Sequence, residues 1–127
     1  MDYGFQRVMA WQKAHEFVLC VYRTTKCFPE DERFGLTSQF RRAAVSIEAN
    51  IAEGYKKLSK PDKLRFFNIA QGSMEECRDY IILSRDLGYM DKQRFIELKE
   101  LSEYVSRMIN SYCSGIVKNS ALKDNEI

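Results

Sequence analysis

The stretch "RRAAVSIEANIAEGYKK", Arg41 to Lys57, decides how this chain is read. On a helical wheel at about 100° per residue, Ile47 and Ile51 join Leu36, Phe40, Ala43 and Ala44 in one apolar stripe. Val45, Ala49 and Ala52 fall on the opposite side, with Ser38. A solvated back face is normally polar, whereas small residues there let another helix approach closely. This helix therefore reads as packed on two sides, with Val45, Ala49 and Ala52 at a subunit interface. The plainer alternative is that the alanines merely favour helix.

Three polar residues, Ser46, Asn50 and Glu53, sit at or near the margin of the apolar stripe. Unpaired polar groups cost about 1–3 kcal/mol each when buried, so hydrogen-bond partners are expected for them. They read as a structural polar network that fixes register between helices, as a buried polar residue does in a coiled coil. The competing reading is an acid/base site built from Glu53, Asn50, Ser46 and His15. No second carboxylate, nucleophile–base pair or phosphate loop accompanies them, so no catalytic residue is assigned and a non-enzyme is expected.

Outward from this stretch, the rest of the chain shows the same helical period. Val8, Trp11, Ala14, Val18, Val21, Tyr22 and Thr25 recur at three- and four-residue steps, predicting a helix from about Phe5 to Lys26, stopped by Phe28-Pro29. The central helix runs from about Leu36 to Lys57, capped by Thr37 or Ser38 and ended or loosened by Gly54. A third follows from about Lys60 to Leu87, with Ser59 as cap, Pro61 in its first turn and Gly88 as its stop. Asp91 caps a fourth, whose stripe is Phe95, Leu98, Leu101, Val105, Met108, Tyr112 and Ile116. Short connections make successive helices antiparallel. The expected fold is all-α, an up-down-up-down four-helix bundle over residues 1–118, with 119–127 a polar, frayed tail.

The 127 residues fit one domain, 45% hydrophobic and 30% charged, as in ordinary soluble proteins. No apolar run approaches the roughly 18 residues of a membrane span. The N-terminal "MDYGFQRVMAWQKAHEF" has charges throughout and no apolar core, unlike a secretion signal. Cys20, Cys27, Cys77 and Cys113 form no CxxC and His15 is the single histidine, so no metal site and no cofactor is expected. The cysteines read as small, reduced core residues of a cytoplasmic protein.

The formal net charge of +2 is too small to imply a polyanionic partner, but its distribution is uneven. Between Arg33 and Arg65 lie eight basic residues against three acidic ones. This segregation points to a basic surface. Arg41, Arg42, Lys56, Lys57, Lys60 and Lys63 are the candidate nucleic-acid-binding residues within it.

The segments "WQKAHEF", "FPEDERFGLTSQFRRAAVSIEANIAEG", "RFFNIAQGSMEE" and "LGYM" together resemble a bacterial four-helix-bundle family encoded in intervening sequences of 23S rRNA. The accessory protein of diversity-generating retroelements looks like a relative. The resemblance implies a bundle that assembles into a ring-like homopentamer with a basic surface and no enzymatic activity. For the retroelement relative it implies binding of nucleic acid and of a reverse transcriptase. For the intervening-sequence members, RNA binding is the natural proposal. The family motif maps onto Ser38, Gln39, Arg41, Arg42, Ser46, Asn50, Glu53 and Gly54. The chain departs from it with Glu48, where proline is common, and with Tyr55-Lys56-Lys57 after the glycine. Glu48 adds an acid two helical turns from Arg41, which would weaken an anion-binding surface there. The function expected is that of a non-catalytic oligomer binding RNA or DNA; the alternative is a scaffold whose basic patch meets an acidic protein partner.

Overall fold

The computed structural model describes residues 2–126, with side chains described for residues 2–118. Four helices account for nearly all of it: α1 (Met9–Thr25), α2 (Leu36–Lys56), α3 (Lys60–Asp86) and α4 (Lys92–Glu126). Each packs against the next, and α1 also packs against α4, which closes a four-cornered bundle. Pairings across each seam run in opposite senses. Along α2 and α3, Gln39 meets Tyr80, Ser46 meets Ser73 and Gly54 meets Phe67. On the α1–α2 seam, Arg41 reaches Thr25 while Glu48 reaches His15. The up-down-up-down topology follows. The expected tail, 119–127, lies outside the residues whose side chains are described.

The stripes meet at the centre. Phe17 and Val21 of α1, Phe40, Ile47 and Ile51 of α2, Phe67 and Met74 of α3, and Leu98, Val105 and Ile109 of α4 are all fully or almost fully buried. No helix among the described residues is long and apolar enough to cross a membrane.

The helix ends show where local chemistry differs from the expected boundaries. The first helix begins later than Phe5, because Gly4–Arg7 forms a separate 3₁₀ turn and Val8 is extended. The Tyr3 N–H donates to Gln6 Oε1 at 2.7 Å and the Gln12 side-chain amide to the Gln6 carbonyl at 2.8 Å, which hold the turn in place. Gly4 lies directly under Tyr55, where a Cβ would stand 2.6 Å from the phenol oxygen. Neither Thr37 nor Ser38 caps α2. The helix starts at Leu36, whose N–H donates to Glu32 Oε1 at 3.4 Å.

The third helix is capped as its sequence indicates, with Ser59 Oγ accepting from the Asp62 N–H at 3.3 Å. At its other end Gly88, at φ +77°, adopts the left-handed conformation that glycine tolerates best. The Gly88 N–H then bonds the Arg85 carbonyl and the Tyr89 N–H the Ser84 carbonyl, a Schellman ending. Asp91 Oδ1 accepts from the Arg94 N–H at 2.8 Å at the start of α4.

Gly54 does not end α2, which continues to Lys56. It is buried where α2 and α3 come closest: an added Cβ would stand 3.0 Å from Phe67 Cε1 and 3.1 Å from Phe66 Cβ. Phe67 is 1% exposed and held edge-on against Tyr112 at 5.0 Å, so it has no room to retreat. Gly54→Ala would gain about 1 kcal/mol in helix propensity but incur about 1–3 kcal/mol of overpacking. The expected result is net destabilisation of about 1 kcal/mol. A thermal melt checks it, with Tm falling by about 3–6 °C; a rise would mean that the two helices separate freely at this point.

Candidate nucleic-acid interface

The six candidate basic residues do not form one patch. Arg41 turns inward along the α1–α2 seam: its Nε–H donates to Thr25 Oγ1 at 2.8 Å and its outer nitrogen to the Tyr22 carbonyl at 3.5 Å. Its guanidinium also lies 4.6 Å from the Tyr22 ring centroid. Lys63 does the same for α2, with Nζ donating to the Tyr55 carbonyl at 2.5 Å and the Gly54 carbonyl at 3.4 Å. Both cations occupy the carbonyl-bearing ends of helices, where positive charge is favoured. Arg41 and Lys63 are thus helix-end caps, not members of a free basic surface.

Arg42 is exposed on α2 but stands apart from the lysines. Fourteen residues separate it from Lys56, or about 20 Å at 1.5 Å per residue. The remaining cations gather at the end of the bundle where α2 turns into α3. Lys56, Lys57 and Lys60 are joined there by Arg65, which belongs to the same basic run but is not among the candidates. Lys57 Nζ lies 4.8 Å and the Arg65 guanidinium 5.0 Å from the centroid of the Phe66 ring. Leu58 is fully exposed at the tip. Asp62, 3.7 Å from Arg65, is the one acid between Lys56 and Arg65. A strongly positive tip with an aromatic ring among its cations can engage phosphates.

Ser46 and Asn50 come together on the α2–α3 seam. The Asn50 amide donates to the Ser46 carbonyl at 2.7 Å and to Ser46 Oγ at 3.0 Å. Ser46 Oγ in turn shares a 2.8 Å bond with Ser73 Oγ of α3. Glu53 takes no part: it is exposed, so the third member of the seam is Ser73. Two turns along, the Tyr80 hydroxyl reaches both Gln39 Oε1 at 3.1 Å and Glu76 Oε2 at 3.3 Å. Burial, with Glu76 beside it, raises the Tyr80 phenol above its ordinary value. Gln39, Arg42, Ser46, Ser73, Glu76 and Tyr80 line an open groove of about 320 Å³.

The acid/base constellation is not assembled. His15 Nδ1 lies 2.7 Å from Glu48 Oε2 on the α1 side of α2, its ring stacked on Trp11 at 4.8 Å. Ser46 and Asn50 face α3 instead, and Glu53 faces outward. Glu48 is engaged by His15, while Arg41 points to Tyr22 and Thr25. Trp11, expected in the core, is half-buried between Phe5 and His15. Val45 is 37% exposed on the outward side of α2, with Ala49 and Ala52 half-buried along it.

Among the described residues no group of three or more His, Cys, Asp or Glu side chains is placed to hold a metal ion. All four cysteines are free; Cys20 and Cys77 are buried, Cys113 is half-buried, and Cys27 is exposed, unlike the core residue expected. Burial raises the Cys77 thiol far above its ordinary value of 9.0 and, with Glu97 close by, raises Cys20 as well. A thiol whose folded pKa is raised stabilises the fold fully below the unfolded value, and that contribution is lost as pH rises past it. Stability should accordingly fall above about pH 9, less steeply in Cys77→Ala. In native protein at neutral pH, a thiol reagent should label Cys27 first and leave Cys20 and Cys77 unmodified until unfolding. Early labelling of Cys77 would contradict the packing of α3.

The match to the family described as 23S rRNA-intervening sequence protein covers residues 6–111. No match is found among curated proteins. The fold is similar to the crystal structure of a protein of unknown function from the S23 ribosomal protein family of Bacteroides thetaiotaomicron. The two are 23% identical at a TM-score of 0.75, over 83% of this chain and 95% of that one. With the family match spanning all but the two ends, the chain belongs to the 23S rRNA-intervening sequence protein family.

Proposed function

We propose that this is a non-catalytic, oligomeric, cytoplasmic protein that binds nucleic acid, RNA foremost, through the α2–α3 end of each bundle. The observation that carries this reading is the run of Lys56, Lys57, Lys60 and Arg65 at one end of the bundle, with Lys57 and Arg65 on the Phe66 ring and Asp62 the one acid between Lys56 and Arg65. RNA is put first on the family resemblance, in which these proteins are encoded within 23S rRNA; the family description itself names no ligand. In a ring of several copies, five by the resemblance, the tip would be repeated around one rim. Such multivalency raises avidity for a long polyanion by about 10²–10⁴ when sites engage together.

Mobility shift with structured RNA and with DNA, at low and at physiological salt, tests the reading. Binding that weakens steeply with salt is expected, because each neutralised phosphate releases counterions. Absence of binding to either polymer by an assembled sample would overturn it, and a nuclease-resistant acidic protein on co-purification would replace it with the scaffold.

A further inference from the structure

We infer that the outward faces of α2 and α3 are the two halves of one head-to-tail interface: α2 of one copy packs against α3 of the next. The inference rests on the oligomeric reading above and adds which surfaces meet. The α3 half is an exposed apolar ridge. Ile69 is 44%, Leu83 42% and Leu87 48% exposed on it, and an added Cβ at Gly72 would meet nothing within 4 Å.

The two faces are complementary at matched levels. In a ring whose axis runs along the helices, neighbouring copies stand level, so the bonds inside one chain give the alignment between chains. Gln39 is level with Tyr80, Ser46 with Ser73 and Gly54 with Phe67. Arg42 therefore stands level with the acids Glu76 and Asp79; Glu76 shares a groove with Arg42 inside one chain, which leaves Asp79 as the partner across the interface. Beside this pair, Val45 faces the open position at Gly72, and the small Ala49 faces the bulky Ile69. Bulk meets space twice, and charge meets opposite charge once. The outward side of α1 fits less well: Arg41 bonds to Tyr22 and Thr25, so Arg42 would stand level with the like-charged Arg23.

The geometry also closes. Four helices at the corners of a bundle set the α2 and α3 faces about 90° apart. A ring needs about 90° between a copy's two joining faces for four copies and about 108° for five. Faces on the diagonal pair, α2 and α4, would instead build an open filament.

Two variants test the pairing. Ala49→Glu blocks the α2 half and Ile69→Glu the α3 half; Ile69 is exposed and Ala49 half-buried on the outward side, and circular dichroism checks that each variant stays helical. Each alone should run as a 14.9 kDa monomer in light scattering where the wild type is a ring. Mixed, they should form a 1:1 dimer and nothing larger, joined through the one intact face that each contributes. A monomeric wild type would overturn the oligomeric reading itself. A wild-type ring that persists in Ile69→Glu, or a mixture that stays monomeric, would overturn this pairing and leave oligomerisation standing.

Discussion

Phe67→Ala should cost about 3–5 kcal/mol, the usual range for deleting a buried aromatic ring. Phe67 joins three helices: it belongs to α3, covers Gly54 of α2, and takes an edge-to-face contact from Tyr112 of α4. Its neighbours cannot collapse into the space, because Gly54 has no side chain to offer and α2 is already at close approach. Domains of this size have about 5–15 kcal/mol of total stability, so the loss is a large fraction of the whole. Urea unfolding should show a much lower midpoint with an unchanged slope. A loss below about 1 kcal/mol would show that the α2–α3 crossing is more plastic than its packing implies.

The second large effect concerns binding. Replacing Lys56, Lys57, Lys60 and Arg65 together by glutamine removes the free cations of the tip and leaves the caps Arg41 and Lys63 in place. If each of the four contacts one phosphate, the slope of log affinity against log salt should become shallower by about 3, and affinity at low salt should fall at least 100-fold. Melting temperature should move little, because none of the four donates a hydrogen bond to a helix-end carbonyl and Lys56 and Lys57 lose only a screened dipole attraction at the end of α2. The opposite pattern is expected for Arg41→Gln and Lys63→Gln. Each loses hydrogen bonds to helix-end carbonyls or to Thr25, worth about 1–2 kcal/mol as charge-assisted bonds, with little change in affinity. If Arg41→Gln weakened binding as much as the tip variant, its side chain would have to leave Thr25 and Tyr22 to meet the ligand.

The architecture was readable from periodicity because each stripe is regular and each connection is short. Ser59, Gly88 and Asp91 act where their chemistry suggests, since caps are local. Residues whose roles depend on a distant neighbour were less legible. Gly54 resembles a helix stop until Phe67 is seen against it. Arg41 and Lys63 look like free cations until the carbonyls of other helices are in place. Glu53 lies close to the margin of the apolar stripe, but α2 turns it to solvent, and Ser73 bonds Ser46 from another helix. Arg65 belongs to the basic run but is not singled out by it, because only the hairpin brings it and its neighbour Phe66 beside Lys57.

Lysine footprinting tests the central claim most directly. The assembled protein would be acetylated briefly with and without saturating structured RNA, and each site quantified by mass spectrometry. Protection at Lys56, Lys57 and Lys60 is expected, with Lys92 and Lys99 of α4, both exposed, modified equally in the two samples. Protection confined to Lys92 and Lys99, with the tip lysines unchanged, would contradict the assignment of the α2–α3 end as the nucleic-acid interface.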